Sequence, residues 1–590
     1  MYIVLGPVAT PNRGDSWEAI TLSDTGAGSR RTFPRAKLPD FIRAVEDQNP
    51  HRTIRWTWAD SRLVMPQLLT AGVSPASCHD LRLAQRILVT AASNAQNAMS
   101  YTPTLDVERL VPEPAGVMPA RQPMEGQGSL FDDELAGSSL SSKAPQEPSA
   151  QALVAELTAQ RAAVATSPHP SRLALLLAAE SQGALIAAEM KHWGMPWNRA
   201  IHEKILEHEL GPRPAGYDRP SKMEALAARI REELGAPHLN PDSPQDVLKA
   251  LQAAGHSVTT TRKWELTEWA NAVPHLREDR WQVVRPLLAY KRLARLYTAN
   301  GWNWLDAWVS DNRFYPSYEV GSAATGRWGG HGGGAMQIPK DVRPAVRTEE
   351  GMILTVADAA QIEPRILAVM SGDRALALAG RGRDLYLGIA QIGERTGSVL
   401  NDRPHAKVAL LGAMYGATSG EAGQLMPHLK KMFPQAIALT ERAAALGMRG
   451  GQVSTYLGRT SPAPSATWFQ AQRSQGTAAD ERAALSAARA QSRFTRNFLI
   501  QGTAAEWALI WMAQIRRRLR TERRFGRRLQ SRLVYFLHDE IMLYGPVGEA
   551  ALCTKIVRES AQTAAELIFG KTDVEFPVTV VTTDDYSTAK

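Results

Sequence analysis

The chain has 590 residues, 44% hydrophobic and 22% charged, and its 68 Lys and Arg outnumber its 59 Asp and Glu. That length suits three to five folded units at about 100–200 residues each, and the composition excludes a disordered or fibrous chain. Two cysteines exclude a disulfide framework and a Cys-ligated zinc site, no run of apolar residues approaches a membrane span, and the net charge of +9 favours a polyanionic partner.

Residues 1–110 mix short apolar runs, Tyr2–Leu5 and Ile54–Trp58, with a helical stretch at Leu81–Ala92, the pattern of a small mixed α/β unit. The opening MYIVLGPVATPNRGD lacks the charged and apolar regions of a secretion signal, so the expectation is a cytoplasmic protein with no membrane partner. From 111 to 150 the composition turns to Pro, Gly, Ser and Gln, with six acids against Arg121 and Lys143 between Glu113 and Glu147. Such a stretch cannot bury enough apolar surface to offset its ordering entropy and reads as a disordered acidic linker. Helical periodicity follows through Leu153–Val164, Ser171–Trp193, Lys222–Leu234 and Trp281–Tyr297. Strand-like runs at Met352–Ala357, Leu533–Leu537 and Val578–Val581 then bracket helical stretches at 374–448 and 478–520, so a sheet interrupted by a helical insertion is expected. The segment Arg516–Arg532 holds nine Arg and one Glu between a helix and a strand. Charge runs are usually solvated, and this one reads as an outer connection rather than a DNA-backbone contact.

Three constellations carry chemistry. His538-Asp539-Glu540 sits between LVYFL and IMLYG, a strand, tight turn and strand. Adjacent acids among apolar neighbours call for a partner, and a metal cation is the usual one. Asp358 ends the run MILTVA just before the helical QIEPRILAVMS. Two such carboxylates on neighbouring strands suit a pair of Mg²⁺ ions about 3.5–4 Å apart, with Mn²⁺ as substitute, and oxygen donors without paired His or Cys disfavour zinc. In NDRPHAKVALLGAMYG, Asp402 can cap a helix with Pro404 in its first turn. Arg403, Lys407, Leu411 and Tyr415 then share one face, cations at the end where the helix dipole favours phosphate. Each feature alone has a bland reading as a capped turn or a solvated helix face; their combination points to a nucleoside triphosphate laid along the helix.

These residues resemble a family. Asp358-x-x-Gln361-Ile362-Glu363-x-Arg365, Arg403-x3-Lys407-x7-Tyr415-Gly416 and His538-Asp539-Glu540 are similar, in order, to motifs A, B and C of family A DNA polymerases. Thr325-Gly326-Arg327 with Gln337-Ile338-Pro339, and Arg493-x3-Asn497-x3-Gln501-Gly502-Thr503, resemble its DNA-contacting segments, and Gly451-Gln452-Val453-x-Thr455-x2-Gly458-Arg459 a fingers signature. Glu189-Met190-x3-Gly194 and Leu287-Leu288-x-Tyr290 resemble parts of its thumb. The resemblance covers about residues 170–590, and among members it is most similar to short actinobacterial proteins described as bifunctional 3′–5′ exonuclease/DNA polymerases.

The resemblance implies an α+β right-hand architecture, with an antiparallel palm sheet and helical fingers and thumb, behind a reduced ribonuclease H-like exonuclease domain. Its expected boundaries are 1–110 for the degenerate exonuclease-like domain, 111–150 for the linker, 151–305 for the thumb, 306–372 and 490–590 for the palm, and 373–489 for the fingers. It further implies a monomeric, nucleoid-associated, template-directed DNA polymerase acting on primer–template DNA and dNTPs, in repair or gap filling. Asp358 and Asp539 would hold two metals, with Glu540 supporting them. Lys407 and Arg403 would bind the triphosphate, Leu411 would face the base, Tyr415 and Glu363 would wall the sugar, and His538 would meet the primer terminus. Arg327, Gln337, Arg493, Asn497 and Gln501 would contact DNA. The departures are Leu411 and Ala359 in usually aromatic places, Pro364 after Glu363, the glycine-rich stretch Gly329–Gly334, expected to be a flexible loop, and the ending DDYSTAK.

In the N-terminal unit, the first exonuclease motif is absent from MYIVLGPVAT, and the places of the second hold Asp60 and Val64. Tyr101-x4-Asp106 misses the spacing of the third, so the domain is expected to be inactive. In the linker, Gln127-x-x-Leu130-Phe131 resembles the peptide by which bacterial proteins dock on the sliding clamp. Two rivals stand beside the polymerase reading. One is a weakly catalytic polymerase-fold scaffold recruited to the clamp, favoured by Leu411 and the glycine-rich stretch. The other is a single-subunit RNA polymerase, disfavoured by Glu363 beside Tyr415.

Overall fold

The computed structural model describes residues 1–9, 15–23, 26–110, 147–216, 218–330, 338–417, 420–474 and 476–589. Its N-terminal part is a five-stranded mixed sheet in the order Gly26–Pro34, Ser16–Ser23, Tyr2–Pro7, Arg55–Trp58, Cys78–Asp80. The first three strands are antiparallel, while Arg55–Trp58 runs parallel to both of its neighbours. The period-2 alternation of Tyr2–Pro7 sends Ile3 and Leu5 to one core, with Trp56 and Leu68, and Val4 to the other face with Ile20. Helix Ala150–Thr166 covers that second face through Ala150, Leu153 and Leu157. The approach is close: a Cβ on Gly6 would lie 2.9 Å from the Ala150 amide nitrogen. The expected thumb, 151–305, begins on this helix, whose residues Ala150, Leu153 and Leu157 pack on the N-terminal sheet.

Helix Pro170–Trp193 joins the two halves of the molecule. It lends Leu185 to the N-terminal core and Leu176, Ile186 and Met190 to the larger one. It is long and apolar enough to cross a membrane, and 67% of its most apolar window is buried within the fold. Further helices at Arg199–Leu210, Ser221–Glu233, Pro244–Ala253 and Arg277–Asn300 follow.

The C-terminal half is built on a four-stranded antiparallel sheet ordered Arg532–Leu537, Glu540–Pro546, Met352–Ala359, Val578–Thr583. Between Met352–Ala359 and the other three strands in the chain lie the helices Ile362–Ser371, Arg374–Ala379, Leu385–Arg395, Arg403–Tyr415, Gly420–Met432, Pro434–Met448 and Ala466–Arg473, then the 44-residue helix Ala478–Thr521. That last helix runs unbroken through the expected fingers–palm boundary at 489/490. It packs on Ala550–Phe569, where Trp511 donates to the Val557 carbonyl at 3.0 Å.

The arginine run is a correction to the sequence reading. Arg516 is buried, not solvated, and pairs with Glu189 at 2.6 Å while donating to the Pro75 and Ala76 carbonyls. It ties the N-terminal unit to the helical half, the Glu189 carboxylate and the two carbonyls together offsetting the cost of burying its charge. The glycine-rich stretch also differs in part. Gly329–Gly330 pairs with Tyr318–Glu319 as a short antiparallel ladder, and the following residues lie outside those described.

Candidate active site

The two carboxylates expected to hold metal meet at adjacent strand tips. Asp358 pairs with Glu540 in the sheet register, and Leu537 pairs with Glu540 across the two-residue turn His538-Asp539. His538 has φ +56°, the left-handed conformation that two-residue hairpins require. The Ala359 amide donates to the Asp539 carbonyl at 2.9 Å, closing the tips together. Burial, and then the negative charge of Asp358, push the Asp539 carboxyl up to about 6. A divalent cation held there would relieve this repulsion, and the all-oxygen donor set fits Mg²⁺ or Mn²⁺. No group of three His, Cys, Asp or Glu side chains arranged for a metal occurs among the described residues. Two carboxylates leave much of the coordination sphere to water, backbone carbonyls and phosphate, the manner in which Mg²⁺ is usually held.

Glu540 is buried behind this pair and accepts a hydrogen bond from the Tyr586 hydroxyl. Arg343 lies over the Tyr586 ring, 4.5 Å from its centroid. The C-terminal tail, read from sequence only as a departure, thus supplies the group that orients Glu540. Sequence offered no signal for it.

Helix Arg403–Tyr415 forms as its caps dictate. Asp402 accepts from the His405 amide at 2.8 Å, Pro404 lies in the first turn, and Gly416 ends the helix in the left-handed region. Ala406, Ala409, Leu410, Ala413 and Met414 face the core, while Arg403, Lys407 and Tyr415 are exposed and Leu411 is half-buried. Arg403 is held by Asp384 at 2.9 and 3.1 Å, over the Tyr386 ring. Neither Asp384 nor Tyr386 was singled out from sequence. A cavity of about 170 Å³ brings together Arg327, Glu363, Tyr386, Leu411, His538 and Asp539.

Glu363 links two others of the expected residues. Its carboxylate accepts from Arg327 at 2.6 Å and from the Tyr415 hydroxyl at 2.6 Å. Burial and the Glu363 charge raise the Tyr415 phenol well above its ordinary range. Burial, and then the Arg327 charge, lower the His538 imidazole. Arg365 is buried, donating to the carbonyls of Ala360, Gly380, Arg383 and Glu575, and so fixes the turn after Asp358.

On helix Ala478–Thr521, Arg493, Asn497 and Gln501 recur every four residues along one partly exposed face. Arg493 packs across Gly416, where a Cβ would lie 3.0 Å from its Cγ. Ala504 and Ala505, a turn further on, line the cavity. The segment resembling a fingers signature lies elsewhere. Arg459 pairs with buried Glu180 at 2.8 Å, and Thr455 donates to Glu506. A Cβ on Gly326 would meet Arg459 Nε at 2.5 Å, so this segment braces the strap that carries Arg327. Gln337, and Gln127, Leu130 and Phe131 of the clamp-like peptide, lie outside the described residues.

The N-terminal acids have other duties. Asp60 is buried against Arg82 at 2.7 Å and Arg62 at 2.8 Å. Asp80 accepts from the Ser61 and Leu83 amides at 2.7 and 3.0 Å, and burial followed by the Asp60 charge pushes its carboxyl up to about 6.

A family model described as DNA polymerase family A matches residues 217–588. The DNA polymerase I of Chloroflexus aurantiacus is 26% identical over 389 residues, which are 59% of this chain and 38% of that protein. The thermostable DNA polymerase I of Thermus aquaticus is 25% identical over 304 residues, 47% of this chain and 33% of that one. The DNA polymerase I of Mycobacterium tuberculosis strain H37Rv is 29% identical over 299 residues, 46% and 30% respectively. The matches thus span about a third of the length of these curated relatives, which are not confined to actinobacteria. Among solved structures, the POL domain of Pol1 from M. smegmatis, in complex with DNA primer-template and dNTP, matches with a TM-score of 0.66 at 21% identity. That likeness of fold covers 98% of this chain and 93% of the other.

Proposed function

The chain belongs to DNA polymerase family A, and from that premise we propose that it is a template-directed DNA polymerase that adds dNMPs to a primer 3′ end in repair or gap filling. The observation that carries this reading is the meeting of Asp358 and Asp539 at adjacent strand tips, beside the cavity on which Leu411 and Glu363 open. Two Mg²⁺ ions held by those carboxylates would lower the pKa of the attacking 3′-hydroxyl and neutralise the leaving pyrophosphate. Arg403, preset by Asp384, binds the outer phosphates, and Lys407 one turn on stabilises charge that grows on the pyrophosphate. Leu411 faces the base. Glu363 and the Tyr415 hydroxyl it holds stand against the sugar and reject a 2′-hydroxyl by contact. His538 meets the primer terminus, while Arg493, Asn497 and Gln501 meet the minor groove, whose acceptors are common to all base pairs.

In this reading the N-terminal domain has lost exonuclease chemistry. Support comes from a first strand without an acid and from Asp60, whose charge is already met by Arg82 and Arg62. Gln127, Leu130 and Phe131 tether the enzyme to the sliding clamp, a proposal that rests on the peptide's sequence alone. Leu411 is the observation that favours a weakly catalytic scaffold instead. Primer extension with dNTPs, with NTPs and with Asp539→Asn decides among the three readings: dNTP-dependent extension lost in the variant supports the polymerase, NTP-dependent extension the RNA polymerase, and none the scaffold.

A further inference from the structure

The C-terminal end of the helix Ala478–Thr521 carries a feature that the nucleotide site does not use. Arg523–Arg524 and Arg527–Arg528 form a two-stranded antiparallel ladder, Arg523 opposite Arg528 and Arg524 opposite Arg527. The turn between them is Phe525-Gly526, both in the left-handed region, at φ +49° and +78°. Two-residue hairpin turns of this kind ordinarily hold Asn-Gly or Asp-Gly, and an aromatic residue there is strained. The strain is not offset by burial, because Phe525 is 91% exposed, the highest value among the exposed large hydrophobic residues described.

The arginines around the ring divide by task. Arg523 donates to the Arg520, Thr521 and Glu522 carbonyls and caps the helix. Arg524 rests on Gly548, where a Cβ would lie 2.3 Å from its Nη1, and covers one face of the Phe525 ring at 5.0 Å. Arg527 and Arg528 are exposed, and the nearest acid in sequence, Glu522, is engaged by Arg518. The first two thus hold the hairpin up, and the last two present charge beside an uncovered aromatic face. Strand Arg532–Leu537 separates this tip from Asp539 by roughly 20 Å at about 3.3 Å per residue.

We propose that this hairpin is an accessory binding site for single-stranded nucleic acid, with Phe525 stacking on an unpaired base and Arg527 and Arg528 engaging the neighbouring phosphates. A ring flanked by guanidinium groups matches the two surfaces of an unpaired strand, one apolar and flat, the other anionic. Duplex DNA presents the second alone, since its bases are already stacked. The site lies outside the nucleotide cavity, so the inference goes beyond the polymerase reading and does not require it.

The test is the binding of a fluorescent oligothymidine to the full chain, followed by anisotropy without dNTP or divalent cation, across a salt series. Phe525→Asn suits the left-handed turn and preserves the hairpin, so lost binding is not misfolding. It should weaken affinity about fivefold or more, the low end for one lost stacked base. Arg527→Gln with Arg528→Gln should lower the slope of log affinity against log salt by about 1.4, at about 0.7 per phosphate contact on a single strand. Extension of a primer–template with a short overhang should be unchanged in both variants. Oligothymidine affinities equal to the unsubstituted protein's would overturn the proposal. So would equal losses for blunt duplex, or a loss confined to phosphatidylserine vesicles. Failure of the unsubstituted protein to extend any primer would count against the polymerase reading and leave the binding result to stand.

Discussion

Replacing Glu363 isolates the contact proposed to set sugar selectivity. Its carboxylate makes two short hydrogen bonds, each 2.6 Å, to Arg327 and to the Tyr415 hydroxyl. Bonds of this type to a charged group contribute about 1.5–3 kcal/mol. Solvent screens both partners, since the Arg327 side chain is 29% exposed and Tyr415 is 41% exposed, so the lower bound applies. Loss of about 1.5 kcal/mol of positioning at Tyr415 corresponds to about tenfold in a rate ratio. Glu363→Ala should therefore reduce the preference for dNTP over NTP, as the ratio of kcat/KM values, by about tenfold. Glu363→Gln keeps an acceptor for Tyr415 while losing the charge on Arg327, and should fall about threefold. The assay is single-nucleotide incorporation on a fixed primer–template with each nucleotide varied separately. A Glu363→Ala enzyme that retains both its dNTP kcat/KM and the unsubstituted discrimination would refute the assignment of Glu363 and Tyr415 to the sugar wall.

Leu411→Phe places an aromatic ring where the incoming base is proposed to lie and should lower the dNTP KM about fivefold, the low end of one stacking interaction, with an unchanged KM counting against a base platform there. Arg516→Ala leaves the half-buried Glu189 carboxylate without its ion-pair partner and should destabilise the fold by about 3 kcal/mol in urea denaturation; a loss under about 1 kcal/mol would mean the pair is solvated. Glu506 is buried, and burial raises its carboxyl from 4.5 to about 7. The folded state then binds this proton more tightly than the unfolded one, so stability is greatest below pH 4.5 for this group and declines by about 3 kcal/mol as pH rises through 7. Glu506→Gln should flatten that slope between about pH 5 and 7, and an unaltered slope would assign it to other groups.

The parts legible from sequence are those whose cause is local. Arg403, Lys407, Leu411 and Tyr415 share a face because helix periodicity compels it, and Asp402 with Pro404 marked that helix's start in advance. The turn at His538-Asp539 was visible because two apolar runs flank a pair too polar to bury. What escaped depends on contacts far apart in the chain. Tyr586 reaches Glu540 from 46 residues away, and Arg516 reaches Glu189 across 327. Asp384 caps its helix by accepting from the Leu387 amide through one oxygen, while its second oxygen holds Arg403. Helix Ala150–Thr166 was legible as a helix, but helical periodicity does not say which sheet its buried face covers. Arg516 was misread because a run of like charges has no local sign of which member meets a buried carboxylate.

The central claim is that Asp358 and Asp539 act together on a nucleotide held by Arg403 and Lys407. Its most direct test is single-turnover incorporation of one dNMP into a primer–template in Mg²⁺, comparing the unsubstituted chain with Asp358→Asn and Asp539→Asn at matched stability. The unsubstituted chain should incorporate the nucleotide and each variant should fall to background, with primer–template affinity largely retained. Incorporation by either variant at a rate near that of the unsubstituted chain would contradict it.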